Sequence, residues 1–182
     1  MARPNPIERK LYLKKNVDEE SVMPLIEAIN KINDDDDEKE KEYKDWVREP
    51  IKLYIYTYGG VCYAGFALID VIKTSKTPVH TIVLGTAMSM GIFIFVAGHR
   101  RFIGEHATLL YHDVSGQAQD MSEGMKIMLE ECVRLSKMGS KMIIESSLVK
   151  QEQLDDYVNR KADWYIPAEE AIKLKIADEY YK

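Results

Sequence analysis

The sequence predicts an α/β domain in which mainly parallel strands alternate with helices. Two β-branched and aromatic runs, residues 51–56 and 78–84, are typical of buried strands. Each run is followed by a segment with helical spacing, which begins soon after Gly60 and at Ser89, respectively. This alternation favours a sheet whose strands end at one common edge, and ligands bind at that edge in open α/β sheets.

The predicted elements follow from hydrophobic periodicity and from residues that start or stop helices. Strands are predicted at residues 10–13, 51–56, 78–84, 101–103 and 108–111. Helices are predicted at residues 18–32, 63–73, 89–97, 122–146, 151–159 and 168–174. Asp18 can N-cap the first helix, Pro50 and Pro78 stand before strands, and Pro167 precedes the last helix. The longest helix is amphipathic, with apolar side chains at Met125, Ile127, Met128, Leu129, Val133, Leu135 and Met138.

The net charge of −5 comes from one short segment. Residues 34–45, called here the acidic run, hold eight acidic residues and three lysines, while the rest of the chain balances at 22 acidic against 22 basic residues. Repulsion among its consecutive aspartates predicts a solvated, mobile loop over about residues 33–50, which the family resemblance given below implies is an insertion. An acidic docking site for a basic partner is the alternative. The chain has no basic stripe, which argues against a nucleic-acid partner.

The cysteines and the apolar segments indicate the cellular compartment of the protein. Cys62 and Cys132 form no C-x-x-C pair, so they predict thiols in a reducing compartment rather than a zinc site or a disulfide framework. Residues 1–6 contain no apolar signal segment. Residues 81–98 are uncharged, but glycines interrupt them, and a strand followed by a helix explains them better than a membrane span. We therefore expect a cytoplasmic protein with no membrane partner, no metal and no cofactor.

Three residues could perform chemistry: a serine at a predicted helix start, a histidine after a predicted strand, and an acid beside two aromatic residues. Ser89 could be a nucleophile, with the Met90 N–H as one oxyanion donor, although a serine in this position also serves as a helix N-cap. His112 follows the strand at residues 108–111 and could be its base, although a lone histidine is often structural. Asp163 could orient that imidazole, or it could be an exposed turn carboxylate. The order Ser, His, Asp differs from that of the α/β-hydrolases and of the chymotrypsin and subtilisin families.

Several segments resemble the proteolytic subunit family of the Clp protease (ClpP). Residues 53–61, LYIYTYGGV, stand where that family has Tyr-Ile-Asn-Ser-Pro-Gly-Gly. Residues 85–91, GTAMSMG, are similar to its nucleophile segment, and residues 168–171, AEEA, to the helix after its acid. The resemblance extends from about residue 9 to residue 178. It implies one peptidase domain over residues 1–182 with the ClpP/crotonase-like fold, an α/β superhelix of repeated β-β-α units with a protruding long-helix handle at about residues 120–147.

The resemblance also implies an active site and a substrate. By it, Ser89 is the nucleophile, His112 the general base and then acid, and Asp163 the orienting carboxylate. Gly60 and Met90 would supply the N–H groups of the oxyanion hole. An extended peptide would pair as an added strand near Gly59, Val61, Asp113 and Val114. The implied protein is a serine endopeptidase that cleaves peptides and unfolded proteins through an acyl-enzyme inside a ring-shaped homo-oligomer.

The chain departs from the family pattern at four places. Residues 56–58, Tyr-Thr-Tyr, replace Asn-Ser-Pro, the stretch after His112 is shortened at residues 115–117, and Ala162 stands where bacterial relatives often have arginine. Almost nothing precedes the first strand, so we expect the axial loops that contact an AAA+ unfoldase ring to be missing or very short. The shortened stretch after His112 and the altered approach to Gly59-Gly60 favour the alternative of a catalytically weak or inactive ring subunit that acts as scaffold or modulator. The intact set Ser89, His112 and Asp163 argues against that alternative. A crotonase-type acyl-CoA enzyme shares the broad fold but does not require a Ser-His-Asp set.

Overall fold

The computed structural model describes residues 8–112 and 123–182 as a sheet flanked by helices. The strands are β1 (Lys10–Leu13), β2 (Ile51–Thr57), β3 (Val79–Met88), β4 (Arg100–Ile103), β5 (Thr108–Tyr111), β6 (Trp164–Pro167) and β7 (Glu179–Tyr180). The helices are α1 (Glu19–Glu42), α2 (Cys62–Thr74), α3 (Met90–Val96), α4 (Glu123–Ser146), α5 (Gln151–Asn159) and α6 (Ala168–Lys173).

The described strands form one sheet centred on β3. β1, β2, β3, β4 and β7 lie side by side in that order and run parallel. β5 also pairs in parallel with β3, and β6 pairs antiparallel with β5. The predicted α/β class with a mainly parallel sheet is confirmed. The sequence analysis missed β6 and β7, which are only four and two residues long.

Gly85 divides β3 into two halves with different partners. Residues 80–83 pair with β4, whereas residues 86–88 pair with β5. Gly85 has a φ of +108°, and a Cβ at this position would lie 2.9 Å from the Tyr56 ring. Only glycine adopts such a φ readily, and the register with β2 shifts here. Because glycine lets the chain bend at this point, the strand continues to Met88, beyond the end predicted at residue 84.

The helices α1, α2 and α3 pack together and bury one face of the sheet. Alternate β2 residues, Ile51, Leu53 and Ile55, are buried on that face, and all of α3 is buried. α4 packs on α3 at Gly139, where a Cβ would lie 2.5 Å from the Phe93 ring. The long helix predicted at residues 122–146 is confirmed from Glu123 onward, while its role as a handle stays a prediction. None of the described helices combines the length and the apolar character that crossing a lipid bilayer demands.

The acidic run is mostly helical, so the loop predicted over about residues 33–50 is wrong up to Glu42, the last residue of α1. Cations from several parts of the chain offset the expected repulsion. The ion pairs are Arg9 with Asp36, Lys39 with Asp35, Arg48 with Asp37 and Glu40, and Lys76 with Asp37. A segment whose charges are paired in this way can continue a helix, and only residues 43–50 connect α1 to β2.

Asp36 is the buried centre of this charge network. Its fully buried carboxylate accepts hydrogen bonds from Arg9 at 2.6 and 2.9 Å, from Thr77 Oγ1 at 2.6 Å and from Trp46 Nε1 at 3.0 Å. Burial acts to raise the pKa of this carboxyl, but the hydrogen bonds outweigh burial and hold the pKa below its ordinary value. Asp36 therefore ties the end of α1 to the segment before β1 and to the approach to β3.

Candidate active site

Ser89 lies between β3 and α3 in a backbone conformation that side-chain-bearing residues rarely adopt, with φ 52° and ψ −121°. It occupies the N-cap position of α3, but its hydroxyl makes no capping hydrogen bond. Its main-chain N–H donates to the carbonyl of Leu110 in β5 at 3.0 Å. The alternative role of this serine as an N-cap is therefore not seen. Backbone strain of this kind costs about 1–3 kcal/mol and concentrates at functional sites.

Gly59 gives Ser89 the space for this conformation. Gly59 has a φ of +99°, and a Cβ on it would lie 2.6 Å from the Ser89 Cβ and 2.8 Å from the Met88 carbonyl oxygen. The Gly59 N–H donates to Thr57 Oγ1 at 3.1 Å, and its carbonyl accepts the Val17 N–H at 2.8 Å. The loop after β2 is thus fixed by hydrogen bonds while it presses directly against the candidate nucleophile.

We expect Gly59→Ala to lower the free energy of unfolding by about 1–3 kcal/mol, because an alanine there meets both a positive φ and a close contact. Urea-induced unfolding of the variant and of the parent protein measures this difference. Gly104→Ala is the matched control, since the nearest atom to its Cβ is the flexible end of Leu84 at 3.1 Å. Equal losses in the two variants would contradict the tight contact between Gly59 and Ser89.

The main-chain N–H groups of Gly60 and Met90 are the predicted oxyanion donors. Met90 is the first residue of α3, so its N–H has no acceptor within the helix, and its nitrogen lies 3.1 Å from the Cβ position of Gly59. The Val17 N–H donates to the Gly59 carbonyl at 2.8 Å, and the Val17 carbonyl accepts the Val61 N–H at 2.7 Å. Neighbouring N–H groups of an extended segment point to opposite sides. The Gly60 N–H is therefore directed away from Val17.

Strand register brings His112 and Asp163 to the same edge of the sheet. β5 pairs in parallel with the end of β3, and His112 directly follows β5. Across the antiparallel β5–β6 pair, Tyr111 lies opposite Trp164. Continuing this register by one residue sets His112 opposite Asp163, and residues directly opposite each other have Cβ atoms about 5 Å apart. The ends of β3 and β5 and the start of β6 therefore carry the three residues predicted from the sequence.

The three side chains are not hydrogen-bonded to one another. Across residues 8–112 and 123–182, no hydrogen bond joins Ser89, His112 and Asp163. Asp163 is exposed, while the other two are half-buried. Asp113 and Val114, which were predicted to contact substrate, lie outside the described residues. The structure thus brings the predicted catalytic residues to one edge without joining their side chains.

Thr57 is a site residue that the sequence analysis missed. Its hydroxyl accepts the Gly59 N–H, and its methyl group would lie 2.6 Å from a Cβ on Gly91. It is 1% exposed and packs between α3 and the loop after β2 that contains Gly59 and Gly60, called here the glycine loop. A threonine two residues before a glycine is the signal that could have found it, because its hydroxyl commonly closes such a turn.

The edge offers a hydroxyl, an imidazole, a carboxylate and main-chain N–H groups. Within the described ranges, no three His, Cys, Asp or Glu side chains group closely enough to hold a metal ion. A hydroxyl beside N–H donors, with a base and an acid on adjoining strands, can perform acyl transfer when the side chains align.

Sequence comparisons identify a family that fits this site. The sequence model of a family described as "Clp protease" matches residues 7–182. The chain is 29% identical over 175 residues to "ATP-dependent Clp protease proteolytic subunit 2" of Prochlorococcus marinus strain MIT 9312, an alignment that covers 94% of this chain and 80% of that protein. It is also 29% identical over 174 residues to the protein of the same name from strain NATL2A, covering 94% and 81%. Because the family match spans nearly the whole sequence, the chain belongs to the Clp protease family.

Proposed function

We propose that this chain is a serine endopeptidase that hydrolyses peptides and unfolded proteins through an acyl-enzyme. Its family supports a protease function in general. The observation that carries the serine mechanism is the strained backbone of Ser89, whose hydroxyl makes no capping hydrogen bond. His112, directly after β5, and Asp163, directly before β6, lie at the same edge of the sheet. The proposal makes these three residues the catalytic set.

The first half of the proposed reaction acylates Ser89. Its Oγ attacks the scissile carbonyl carbon while His112 takes the hydroxyl proton. The oxygen of the tetrahedral intermediate becomes negative and is stabilised by the N–H groups of Gly60 and Met90. Asp163 accepts the second N–H of the imidazole and favours its charged form. His112 then gives the proton to the departing amine, and the acyl-enzyme remains.

The second half of the reaction releases the acid. A water molecule gives one proton to His112 and attacks the acyl carbon, so that a second oxyanion forms beside the same N–H groups. Its collapse breaks the bond to Ser89 Oγ, which recovers the proton from His112. The glycine loop fixes one N–H donor throughout, because Val17 and Thr57 hold the main chain of Gly59.

We propose that substrate lies extended beside the glycine loop, in contact with Gly59 and Val61. The Val61 N–H donates to the Val17 carbonyl and the Val61 carbonyl accepts the Gly65 N–H, so Val61 would contact the peptide through its side chain, which is 53% exposed. Asp113 and Val114 would form the opposite wall. Because the main-chain groups of Gly59 and Val61 are bonded within the chain, main-chain pairing with the substrate would fall to Asp113 and Val114.

We propose a ring-shaped homo-oligomer in which α4 contributes apolar contacts. Ile127 and Leu129 are 66% and 63% exposed, and Val133 is 44% exposed, so this helix leaves apolar surface uncovered in the single chain. The two curated relatives are named as subunits, which also supports assembly. Light scattering at micromolar concentration distinguishes a ring from a monomer.

Two further expectations stay proposals. The relatives' names describe an ATP-dependent protease, so an AAA+ unfoldase is the partner class that would deliver unfolded proteins. Small peptides need no such partner in the mechanism above. A location in the cytoplasm remains a prediction from the unpaired cysteines.

A catalytically weak subunit that acts as scaffold or modulator is the second candidate function. The observation that favours it is the absence of any hydrogen bond among the three catalytic candidates in the described part of the chain, together with the exposure of Asp163. Assembly or substrate binding has to align these side chains if the first proposal is correct.

A fluorophosphonate probe tests the proposal directly. We expect the assembled protein at neutral pH to form a covalent adduct that mass spectrometry locates at Ser89, because only an activated serine attacks the phosphorus centre. His112→Ala should abolish labelling, whereas His106→Ala, a change at an exposed turn histidine, should leave it intact. Thermal unfolding of each variant controls for folding. An assembled, folded parent protein with no adduct would overturn the proposal and favour the scaffold.

A further inference from the structure

Tyr111, the residue directly before His112, is one of the largest side chains of the core and is 1% exposed. It is the last residue of β5, and it lies opposite Trp164 in the antiparallel pair of β5 with β6. Because one planar peptide joins Tyr111 to His112, the position of the buried ring limits the positions that the imidazole can take.

The phenol of Tyr111 reaches α4. Its hydroxyl and that of Ser140, which is 7% exposed, share a hydrogen bond with 2.9 Å between the two oxygens. The neighbouring Gly139 lets α4 come close, since a Cβ there would lie 2.5 Å from the Phe93 ring. A hydrogen bond between buried groups is electrostatically stronger than one in water. The end of β5 is therefore held to α4 by a buried side-chain bond.

The same ring contacts α3, the helix that begins directly after Ser89. The rings of Tyr111 and Phe93 meet edge to face, with centroids 6.3 Å apart and planes at 81°, a geometry that aromatic pairs prefer. The Ser89 N–H donates to the carbonyl of Leu110, the residue before Tyr111, at 3.0 Å. The strand that leads to His112 is thus joined to the segment of the nucleophile by one main-chain hydrogen bond and one aromatic contact.

Trp164 holds the strand beside Asp163 in a comparable way. It is 3% exposed, its indole stacks on the Tyr157 ring with centroids 5.2 Å apart, and its Nε1 donates to Glu170 Oε1 at 3.3 Å. The candidate base and the candidate acid therefore each adjoin a buried aromatic residue, and these two aromatic residues face each other across β5 and β6. At Tyr111 a change to phenylalanine removes the hydrogen bond and keeps the ring.

We propose that Tyr111 is a positioning residue for the general base, and that its hydrogen bond to Ser140 fixes the main chain from which the His112 imidazole reaches the Ser89 hydroxyl. This role rests on the proposed function, because it belongs to the proton transfer of that reaction. A general base must come within about 2.6–3.2 Å of the hydroxyl that it deprotonates. A displacement of about 1 Å in a catalytic group can lower the rate about 100-fold, so the seat of the Tyr111 ring has a direct effect on acylation.

The rate and the extent of fluorophosphonate labelling test this role. We expect Tyr111→Phe to lower the rate constant of labelling at Ser89 by about 10- to 100-fold, while one adduct per chain still forms at the end point. A merely structural role would instead lower the extent of labelling, because unfolded chains do not react. Tyr180→Phe makes the same change in β7, which pairs with β4, and should leave both quantities unchanged. An unchanged rate constant in Tyr111→Phe would overturn the proposal.

A double-mutant cycle separates the hydrogen bond from other effects of each change. Ser140→Ala should lower the rate constant about as much as Tyr111→Phe, and the double variant should lose no more than either single variant, since each change removes the same bond. Losses that multiply in the double variant would show two independent effects and would overturn the role of the bond. If Tyr111→Phe does not fold, Ser140→Ala decides by the same rate and extent.

Peptide hydrolysis distinguishes a failure of this role from a failure of the proposed function. With a fluorogenic peptide, Tyr111→Phe and Ser140→Ala should lower kcat and leave KM nearly unchanged, because the buried pair acts on the chemical step and not on substrate binding. A raised KM with an unchanged kcat would overturn the role in proton transfer. An assembled parent protein that neither labels nor hydrolyses would overturn the proposed function and this role with it. An active parent with equally active variants would overturn the positioning role alone.

Discussion

Replacing Ser89 with alanine is expected to lower kcat/KM for a fluorogenic peptide by about 10⁴- to 10⁶-fold, the range seen when a nucleophile is removed from a serine protease triad. The loss is this large because no other hydroxyl in the described site stands at the strained position beside the glycine loop. Residual turnover would come from the oxyanion donors alone. A continuous fluorescence assay on the assembled protein measures it.

Two companion variants sharpen this result. Ser147→Ala, at the residue that directly follows α4, removes a hydroxyl that bonds to the Ile143 carbonyl and should leave kcat/KM nearly unchanged. Asp163→Asn should lower kcat about 10⁴-fold if this carboxylate orients His112, the size known for that change in trypsin-like enzymes. Unchanged turnover in Asp163→Asn would identify Asp163 as an ordinary exposed carboxylate and remove it from the catalytic set.

Replacing Asp36 with alanine should cause the largest loss of stability, about 3–5 kcal/mol, because it leaves the Arg9 guanidinium buried without its counter-charge. Arg9 is 8% exposed, and among the described residues its guanidinium would keep only the bond to the Glu49 carbonyl at 2.8 Å. Thr77 and Trp46 would each lose an acceptor as well. Urea-induced unfolding at neutral pH measures the difference in free energy of unfolding.

The contribution of Asp36 has a defined pH dependence. The folded-state pKa of this carboxyl lies below its ordinary value of 3.8, so the unfolded chain binds the proton more readily. The stabilisation is therefore fully present above the unfolded-state pKa and disappears as the pH falls through the folded-state value. We expect the stability difference between the parent protein and Asp36→Ala to be constant from pH 7 to about pH 5 and to shrink in more acidic buffers.

Asp37→Ala is the matched control for both experiments. Asp37 carries the same charge one residue away, but its side chain is 34% exposed, and Lys76 and Arg48 lower its pKa to about 2. Lys76 is exposed and water screens its ion pair, while Arg48 would keep its ion pair with Glu40, so this variant should lose far less stability. A comparable loss in Asp37→Ala would show that removal of any charge from α1, rather than burial of Asp36, explains the effect.

Local patterns predicted the elements whose causes are local. α5 begins and ends at the predicted residues, and Asp18 caps α1 as expected through a bond to the Ser21 N–H at 2.8 Å. The same reasoning ended α1 at residue 32, because the cations that neutralise the acidic run come from distant parts of the chain. No local sequence pattern predicts that Arg9 pairs with Asp36.

The residues of the candidate site also divide into those that a local pattern predicts and those whose position depends on distant parts of the chain. His112 could be predicted because it directly follows a recognisable strand, and Ser89 because it stands at the start of a recognisable helix. The position of Asp163 depends on β6, a four-residue antiparallel strand ending in Pro167 that local propensity does not reveal. The contact of Gly59 with Ser89 joins residues thirty positions apart and follows only from the packing of the folded chain.

The break in β3 at Gly85 gives the molecule two regions of different local stability. The first half of β3 lies between β2 and β4 in the middle of the sheet, whereas the second half leads to Ser89 beside the shorter β5–β6 pair. Amide hydrogens in the first half should exchange with solvent only when the whole protein unfolds. Those of Ala87 and Ser89 should exchange through smaller openings. The edge that carries the catalytic candidates can therefore rearrange while the centre of the sheet remains folded.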